Sequence, residues 1–507
     1  MATQDEQVQS IKSEETDQVN AGEKHRTLIV GGGYVGLYTA LRLQKRISDA
    51  NHVITVVDPY PYMTYQPFLP EVAAGSIEPR DAVVSHRRHL RGCELINAKV
   101  TNISHADRKV TLEAKDGNAY ELPYDEIVVA AGANTKTFPI DGLAEHGIGM
   151  KTIEEATAVR NNVLERIETA STMTNPEDKK AALTFVVVGG GFAGIETIAE
   201  LEDMARVAVS RNKYLTIKDI RFVMVEAAGR IMPEVTEDQA EKVVKQLEAR
   251  GIDVFLNTSL ASVTDNNTIN LMNMEDKSPG ESFKADTLIW TAGVAASPVA
   301  KNSDLPTDDR GRITCGADLR VKDADGNVVP HAWAAGDISA VPDLTGGGLP
   351  DGTCVPNAQH AVRQAKVLAR NIAASYSNGS LQEYKHENMG AVAGLGMYKG
   401  VAKMPMGIKL TGFPAWFMHR AYHGAAMPMF ERKFRVASGW FWNWAAGRDT
   451  TQLINLEDPR QAFVEAATPA PKPAEPKAVE ATTETVLPDD AVKVATTQTI
   501  TTEHHTL

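Results

Sequence analysis

The chain has 507 residues, 43% of them hydrophobic, with a formal net charge of −13. That length exceeds what one hydrophobic core can serve and implies two or three domains, and the acidic balance excludes nucleic acid as the main partner. Three cysteines, Cys93, Cys315 and Cys354, stand far apart without a C-x-x-C. This excludes a thioredoxin-type dithiol and a clustered zinc site, fits a reducing compartment, and leaves no metal site to expect.

Residues 1–24 are acidic and polar, so they carry no signal peptide and read as a disordered arm. Thr27–Gly31 is a nearly all-apolar run, as a parallel strand buried on both faces requires. It leads into Gly31-Gly32-Gly33-Tyr34-Val35-Gly36, then a helical pattern over Leu37–Ile47, then a second apolar run, Val53–Val57, ending at Asp58. In this G-x-G-x-x-G, Gly31 allows the tight turn, Gly33 lets backbone approach a pyrophosphate, and Gly36 lets helix and strand pack closely. The helix N-terminus offers free N–H groups to phosphates, and Asp58 can accept from a ribose hydroxyl.

Pro59–Gly75 holds four prolines and is expected to be irregular, lining the cofactor with Tyr60, Tyr62, Tyr65 and Phe68. Short alternating runs beyond it suit an antiparallel meander, and Tyr124–Lys136 returns as a buried strand ending in Ala131-Gly132-Ala133. A helix over Thr152–Ala170 and a link, NPEDKK, lead to Leu183–Ala205, which repeats the device with Gly189, Gly191 and Gly194. The next strand, Arg221–Glu226, again ends on an acid, and Thr236–Gln239 reads as a capping box opening a helix over Glu237–Arg250. Two complete fingerprints imply two dinucleotides. Ala285–Gly293 mirrors the end of the first module, which resumes at Ala332–Val341 with Gly336-Asp337.

The expected fold is therefore α/β, two Rossmann-like dinucleotide-binding domains with the second inserted in the first. The first occupies residues 25–151 and 296–385, the second 152–295. A C-terminal region, 386–462, follows, and 463–507 is Ala/Pro/Thr/Glu-rich and reads as a disordered tail. In the C-terminal region, Phe430, Phe434, Ala437, Phe441 and Trp444 fall on one helical face. Four of the six tryptophans lie between Gly412 and Arg448, and Lys399–Arg448 carries eight Lys/Arg against one acid, Glu431. Aromatic, basic and too short to span, residues 412–448 are expected to form amphipathic helices on an anionic membrane surface. A homodimer interface or a cover over the core is the other use of such a face.

The pattern resembles the two-dinucleotide-binding-domain flavoproteins of the glutathione-reductase type, and more closely the type II NADH:quinone dehydrogenases. Tyr65–Ala73 looks like that family's F-Q-P-L-L-x-E-V-A, Gly191–Glu196 like its second fingerprint, and Pro356–Ala361 like its A-Q-x-A at the quinone end of the flavin. The resemblance implies FAD on Gly31, Gly33, Tyr34, Val35, Gly36, Asp58, Gln66, Pro67, Val100, Ala131, Gly132, Gly336, Asp337, Ala358 and Gln359. It implies NADH on Gly189, Gly191, Phe192, Ala193, Gly194, Glu196, Glu226, Ala292 and Gly293. An acid at 226 favours NADH over NADPH, with Arg230 nearby as the qualification. Glu196, Gln359 and Arg363 are the expected catalytic residues, Glu196 as a buried carboxylate of raised pKa that moves protons. Arg363 departs from the family, which has Gln there, and here a Gln follows at 364.

The implied activity is hydride transfer from NADH to flavin and two-electron reduction of a membrane quinone, menaquinone or ubiquinone, without proton pumping. The implied place is peripheral, on the cytoplasmic face of the membrane. Two other readings use the same scaffold: a sulfide:quinone oxidoreductase, and an NADH-binding flavoprotein with another acceptor or a sensing role. The first needs paired cysteines at the flavin, and none lies between Cys93 and Cys315 to partner Cys354.

Overall fold

The computed structural model describes residues 24–47, 49–386, 389–453 and 460–467. The N-terminal arm and most of the expected tail lie outside them. The tail's first described residues belong to a short helix, Gln461–Ala467, within a separate unit of residues 455–507.

Strand β1 (His25–Val30), helix α1 (Tyr34–Leu43) and strand β2 (His52–Val57) form the first βαβ unit. The Pro-rich segment after β2 is more regular than its prolines suggested. Tyr62–Thr64 pairs with Val83–Ser85, and Gln66–Phe68 and α2 (Leu69–Ala73) are short helices. Pro67 and Pro70 each fall in a first helical turn, where the missing N–H costs nothing. Strands β3 (Glu94–Ile96) and β4 (Glu126–Val129) complete this half.

The chain then enters a second sheet with β5 (Gly147–Gly149), α3 (Ile153–Ala170), β6 (Thr184–Val188), α4 (Phe192–Ser210), β7 (Arg221–Val225), α5 (Glu237–Glu248), β8 (Ile252–Phe255) and β9 (Thr287–Trp290). Its order is β5-β9-β6-β7-β8, all parallel. The NPEDKK link is itself helical over Pro176–Ala182. Asn175 accepts the Glu177 N–H at 3.0 Å, and Pro176 opens the first turn.

With β10 (Arg320–Lys322) and β11 (Val328–Ala334) the chain returns to the first sheet, whose order is β10-β11-β4-β1-β2-β3. Helix α6 (Ala358–Ser375) packs beside α1. An antiparallel sheet of β12 (Ala391–Gly394), β13 (Gly400–Lys403) and β14 (Lys409–Thr411) then carries α7 (Phe413–Ala426), followed by α8 (Phe430–Ala446).

Alternation along the strands assigns the core. Ile29 joins the cluster that includes Leu37 and Leu368, while Leu28 and Val30 face the opposite side with Val110 and Leu112 of a meander over 99–123. In the second sheet Phe185 and Val187 face the helices, and Val186 and Val188 face Leu260 and Ile269 of a second meander. Val100 belongs to the first meander and packs against that far-side cluster.

Candidate active site

Both glycine turns are built the same way. Gly31 (φ +99°) and Gly189 (φ +113°) take the left-handed conformation that only glycine adopts cheaply. A Cβ on Gly36 would overlap the Gly31 carbonyl oxygen, and one on Gly194 the Gly189 carbonyl oxygen, so helix and strand meet at backbone distance. By contrast, a Cβ on Gly33 or Gly191 would meet nothing within 4 Å. Those positions face open space at the helix N-termini. Asp58 accepts the Gly32 N–H at 2.6 Å and the Tyr60 N–H at 2.7 Å, and Glu226 accepts the Gly190 and Ala228 N–H groups. Burial raises the Asp58 carboxyl and lowers His86, whose Nε2 lies 2.8 Å from the Gly32 carbonyl oxygen.

Arg230 is held by the backbone of its own segment. Its Nη2 donates to the carbonyl oxygens of Val235 (2.7 Å) and Met232 (3.4 Å).

A cavity of about 840 Å³ opens between the two sheets and α7. Tyr34, Gln66, Pro67, Phe192, Ala193, Glu196, Gly293, Ala358, Gln359 and Arg363 line it, all residues singled out by sequence. Gly336 and Asp337 border a much smaller recess nearby, together with Gln364. Ala131, Gly132 and Ala292 sit at the ends of β4 and β9, and Val100 lies apart on its meander.

Glu196 is buried as expected, but it is not solitary. Its Oε1 accepts the Gly394 N–H at 2.9 Å and lies 3.1 Å from Nε2 of His419, an ion-pair distance with an oblique approach. Burial alone would lower the His419 pKa; its close contact with the Glu196 carboxylate, helped by the charge on Glu71, outweighs this and raises it.

At the other end, Gln359 Oε1 lies 3.0 Å from His386 Nε2 and accepts the Met389 N–H at 3.1 Å. Arg363 donates back to the Gln359 carbonyl oxygen at 2.9 Å and reaches the Met389 sulfur. Gln364 does not stand in for it. Gln364 is buried and accepts the Gly336 N–H at 2.7 Å, which fixes the Gly336-Asp337 turn.

Sequence reasoning missed three cavity or near-cavity groups. Lys151 lines the cavity; burial lowers its pKa, against the pull of Asp337. His419 and His423 both lie on α7, and His423 lines the cavity. Their i, i+4 spacing was visible and placed them on one helix face; nothing local marked Lys151.

The C-terminal helices are tied inward by buried charges. Arg420 lies between Trp416 and Trp440, 4.8 Å from each ring centroid, with Nη1 3.3 Å from Glu71 Oε2. Glu71 also accepts the Trp440 indole N–H at 2.6 Å. The aromatic stripe faces outward instead: Phe430 is 83% exposed, Phe434 69%, Phe441 54% and Trp444 67%, beside Phe417 on α7 at 60%. Among the described residues no helix is long and apolar enough to cross a membrane.

Residues 25–365 match the family model for pyridine nucleotide-disulphide oxidoreductases. The chain is 27% identical to the type II NADH:quinone oxidoreductase Ndh of Mycobacterium tuberculosis, over 82% of this chain and 87% of that one. It is 28% identical to the type II NADH:quinone oxidoreductase of Staphylococcus haemolyticus, over 79% and 94%. Its fold matches the structure of NDH2 from Plasmodium falciparum in complex with NADH, with TM-score 0.76 and 20% identity over 85% of this chain and 100% of that one. The sulfide:quinone oxidoreductase of Aquifex aeolicus shares the fold at TM-score 0.61 and 16% identity, over 82% and 92%. The chain belongs to the pyridine nucleotide-disulphide oxidoreductase family and, within it, to the type II NADH:quinone oxidoreductases.

Proposed function

We propose that this protein oxidises NADH and reduces a membrane quinone through a bound FAD, without pumping protons. The observation that carries the proposal is the single cavity wall that brings Glu196 and Ala193, at the second glycine turn, together with Gln359 and Ala358 of α6. One site then serves a donor at one end and an acceptor at the other.

The residues present fit FAD. The open face at Gly33 leaves room for a pyrophosphate against free N–H groups, and Asp58 is held at the end of β2 where a ribose would meet it. The Tyr34 hydroxyl is buried without a partner at the cavity wall, a polar atom that a ligand would satisfy. Tyr34, Gln66, Lys151 and Asp337 would surround the ring system and its side chain. When bound, the flavin supplies two-electron chemistry, accepting hydride from one substrate and reducing the other. The protein's part is to bind, orient and exclude water.

Gly189, Gly191 and Gly194 would cradle the NADH pyrophosphate, with Glu226 on the adenosine ribose. A carboxylate there repels a 2′-phosphate, and Arg230 Nη2 is engaged with backbone carbonyls of its own segment. NADH is preferred over NADPH. At the acceptor end Arg363, in place of the family's Gln, puts a fixed positive charge beside Gln359.

The exposed stripe on α8 and the Phe417 side of α7 would lie in the interfacial layer of the cytoplasmic membrane face, giving quinone a route from lipid to the cavity. A sulfide reductase reading is poorly served. Cys315 and Cys354 are buried, their thiols pushed up to about 12 and about 11 by burial, and neither lines the large cavity.

Anaerobic stopped-flow mixing of the detergent-solubilised holoprotein tests the proposal. NADH should bleach the flavin, and a quinone analogue should restore its colour within a turnover. Bleaching without reoxidation by any quinone would sink the quinone reductase reading.

A further inference from the structure

Reduction of quinone by NADH consumes a proton: NADH + H⁺ + quinone gives NAD⁺ + quinol. Two electrons move, an O–H bond forms on each quinone oxygen, and one proton must come from water. Nothing in the hydride transfer supplies it. Helix α7, which forms part of the cavity wall, carries two titratable side chains close to one another.

His419 and His423, one turn apart on α7, have ring centroids 4.6 Å apart. His423 lines the cavity and its Nδ1 lies 3.1 Å from the Tyr65 hydroxyl, also on the cavity wall. His419 is behind it, 3.1 Å from the carboxylate of Glu196, which lines the cavity near the second glycine turn. The line Glu196, His419, His423, Tyr65 therefore starts and ends on the cavity wall and passes through the protein behind it at His419. Gly394 makes room for it: a Cβ there would come within 3.4 Å of the His419 ring.

We propose that His419 and His423 form the proton relay for quinone reduction, His423 protonating the quinone and His419 refilling it. The inference rests on the quinone reductase reading. An N–H bond on His423 breaks as an O–H bond forms on the quinone. An N–H bond on His419 breaks as one re-forms on His423, and Glu196 returns a proton from cavity water to His419.

The electrostatics suit these roles. Two buried imidazoles in contact cannot both be charged. Glu196 from α4 and Glu71 from α2 favour a proton on His419, against burial and Arg420 of its own helix. His423 faces His419, Tyr65 and Tyr422; burial and the charge on His419 push it well below the usual imidazole range. The resting proton thus sits on His419. Once moved to His423 it is held weakly, which makes His423 a strong acid toward the quinone.

The test is anaerobic two-phase stopped-flow on FAD-loaded protein, first with NADH, then with a water-soluble quinone analogue, in H₂O and D₂O across pH. His423→Gln should lower the ratio of reoxidation to reduction rate by about tenfold or more and enlarge the solvent isotope effect on reoxidation. In the unaltered protein reoxidation should fall as pH rises through the raised His419 value, and His419→Gln should erase that fall. Tyr65→Phe should leave His423 active and change the ratio less than His423→Gln does. If His419→Gln does not fold, His423→Gln decides alone. Both phases slowing together, or an unchanged isotope effect with the ratio intact, overturns the relay. Unaltered protein that NADH bleaches and quinone does not reoxidise overturns the functional reading instead, whatever the variants do.

Discussion

Arg448 and Glu200 meet in the protein interior, Nη2 donating to Oε2 at 2.9 Å, with both side chains 4% exposed. Nη1 also donates to the carbonyl oxygens of Ala74 and Glu200, so the residue closing the C-terminal helices is tied to α2 and α4 at once. Removing the Arg leaves a buried carboxylate alone, which costs about 3–5 kcal/mol. Arg448→Ala is expected to lower the denaturation midpoint accordingly. Burial already raises the Glu200 carboxyl, with Arg448 opposing. A raised folded-state pKa gives stability that is present at low pH and lost as pH rises, and without Arg448 that loss steepens. The variant's deficit should therefore be smaller near about pH 5 than near about pH 8, read by chemical denaturation at both. An equal deficit at the two pH values would remove Glu200 from the account.

The two kinds of glycine in the first turn predict opposite failures. Gly36 has no room for a Cβ, so Gly36→Ala should unfold the turn and give insoluble protein. Gly33 is extended (φ −69°) with open space where a side chain would go, so Gly33→Val should fold and lose FAD. Circular dichroism with flavin absorbance separates the two. Gly33→Val protein that retains stoichiometric flavin would mean that the open face at Gly33 does not hold the pyrophosphate.

Why these positions were readable and others were not follows from how local each cause is. A glycine with positive φ, a helix touching a strand, or a strand buried on both faces is dictated by a few neighbouring residues, so β1, α1, β6 and α4 were visible in the sequence. Pro67 and Pro70 misled because a proline breaks a helix interior yet suits its first turn, and sequence alone did not say where the turn began. The pairing of charge was hidden for a different reason. Lys399–Arg448 looked like a basic patch because its acids are elsewhere in the chain. Six of its eight cations lie at ion-pair distance from carboxylates, among them Asp203, Asp238, Glu71, Asp81 and Glu200. The partnership of Glu196 with His419 was hidden in the same way, since they stand 223 positions apart in the chain.

Nucleotide preference should depend on Glu226 and not on Arg230. A hydrogen bond to a charged group contributes about 1.5–3 kcal/mol, and the same carboxylate repels a 2′-phosphate. Glu226→Gln should therefore raise the NADPH-to-NADH ratio of kcat/KM by about tenfold or more, mainly through weaker NADH binding. Arg230→Ala should leave the ratio unchanged, because its Nη2 is held on the Val235 and Met232 carbonyls. Steady-state kinetics with both nucleotides measures each ratio, and a shift with Arg230→Ala would show that this side chain swings toward the nucleotide.

Membrane attachment should rest on apolar area more than on charge. Phe430, Phe434, Phe441 and Trp444 present one face of α8 to solvent, whereas Arg432 and Arg435 are already held near Asp81 and Glu431. Burying one large apolar side chain contributes about 1.5–3 kcal/mol, so each residue on the stripe is worth roughly a factor of ten or more in partitioning. Paired cations contribute far less, and what they add is screened by salt. Phe434→Ser together with Trp444→Ser should release the protein from lipid vesicles while leaving its melting temperature nearly unchanged, because both side chains are exposed in the free protein. Raising salt from about 0.1 M to about 1 M, which shortens the screening length from about 10 Å to about 3 Å, should weaken binding of the unaltered protein only modestly. Vesicle sedimentation in neutral and anionic lipid measures both effects. Release by salt alone, with the serine variants still bound, would assign the attachment to Lys403, Lys433 and their neighbours and leave the aromatic face for contact with protein.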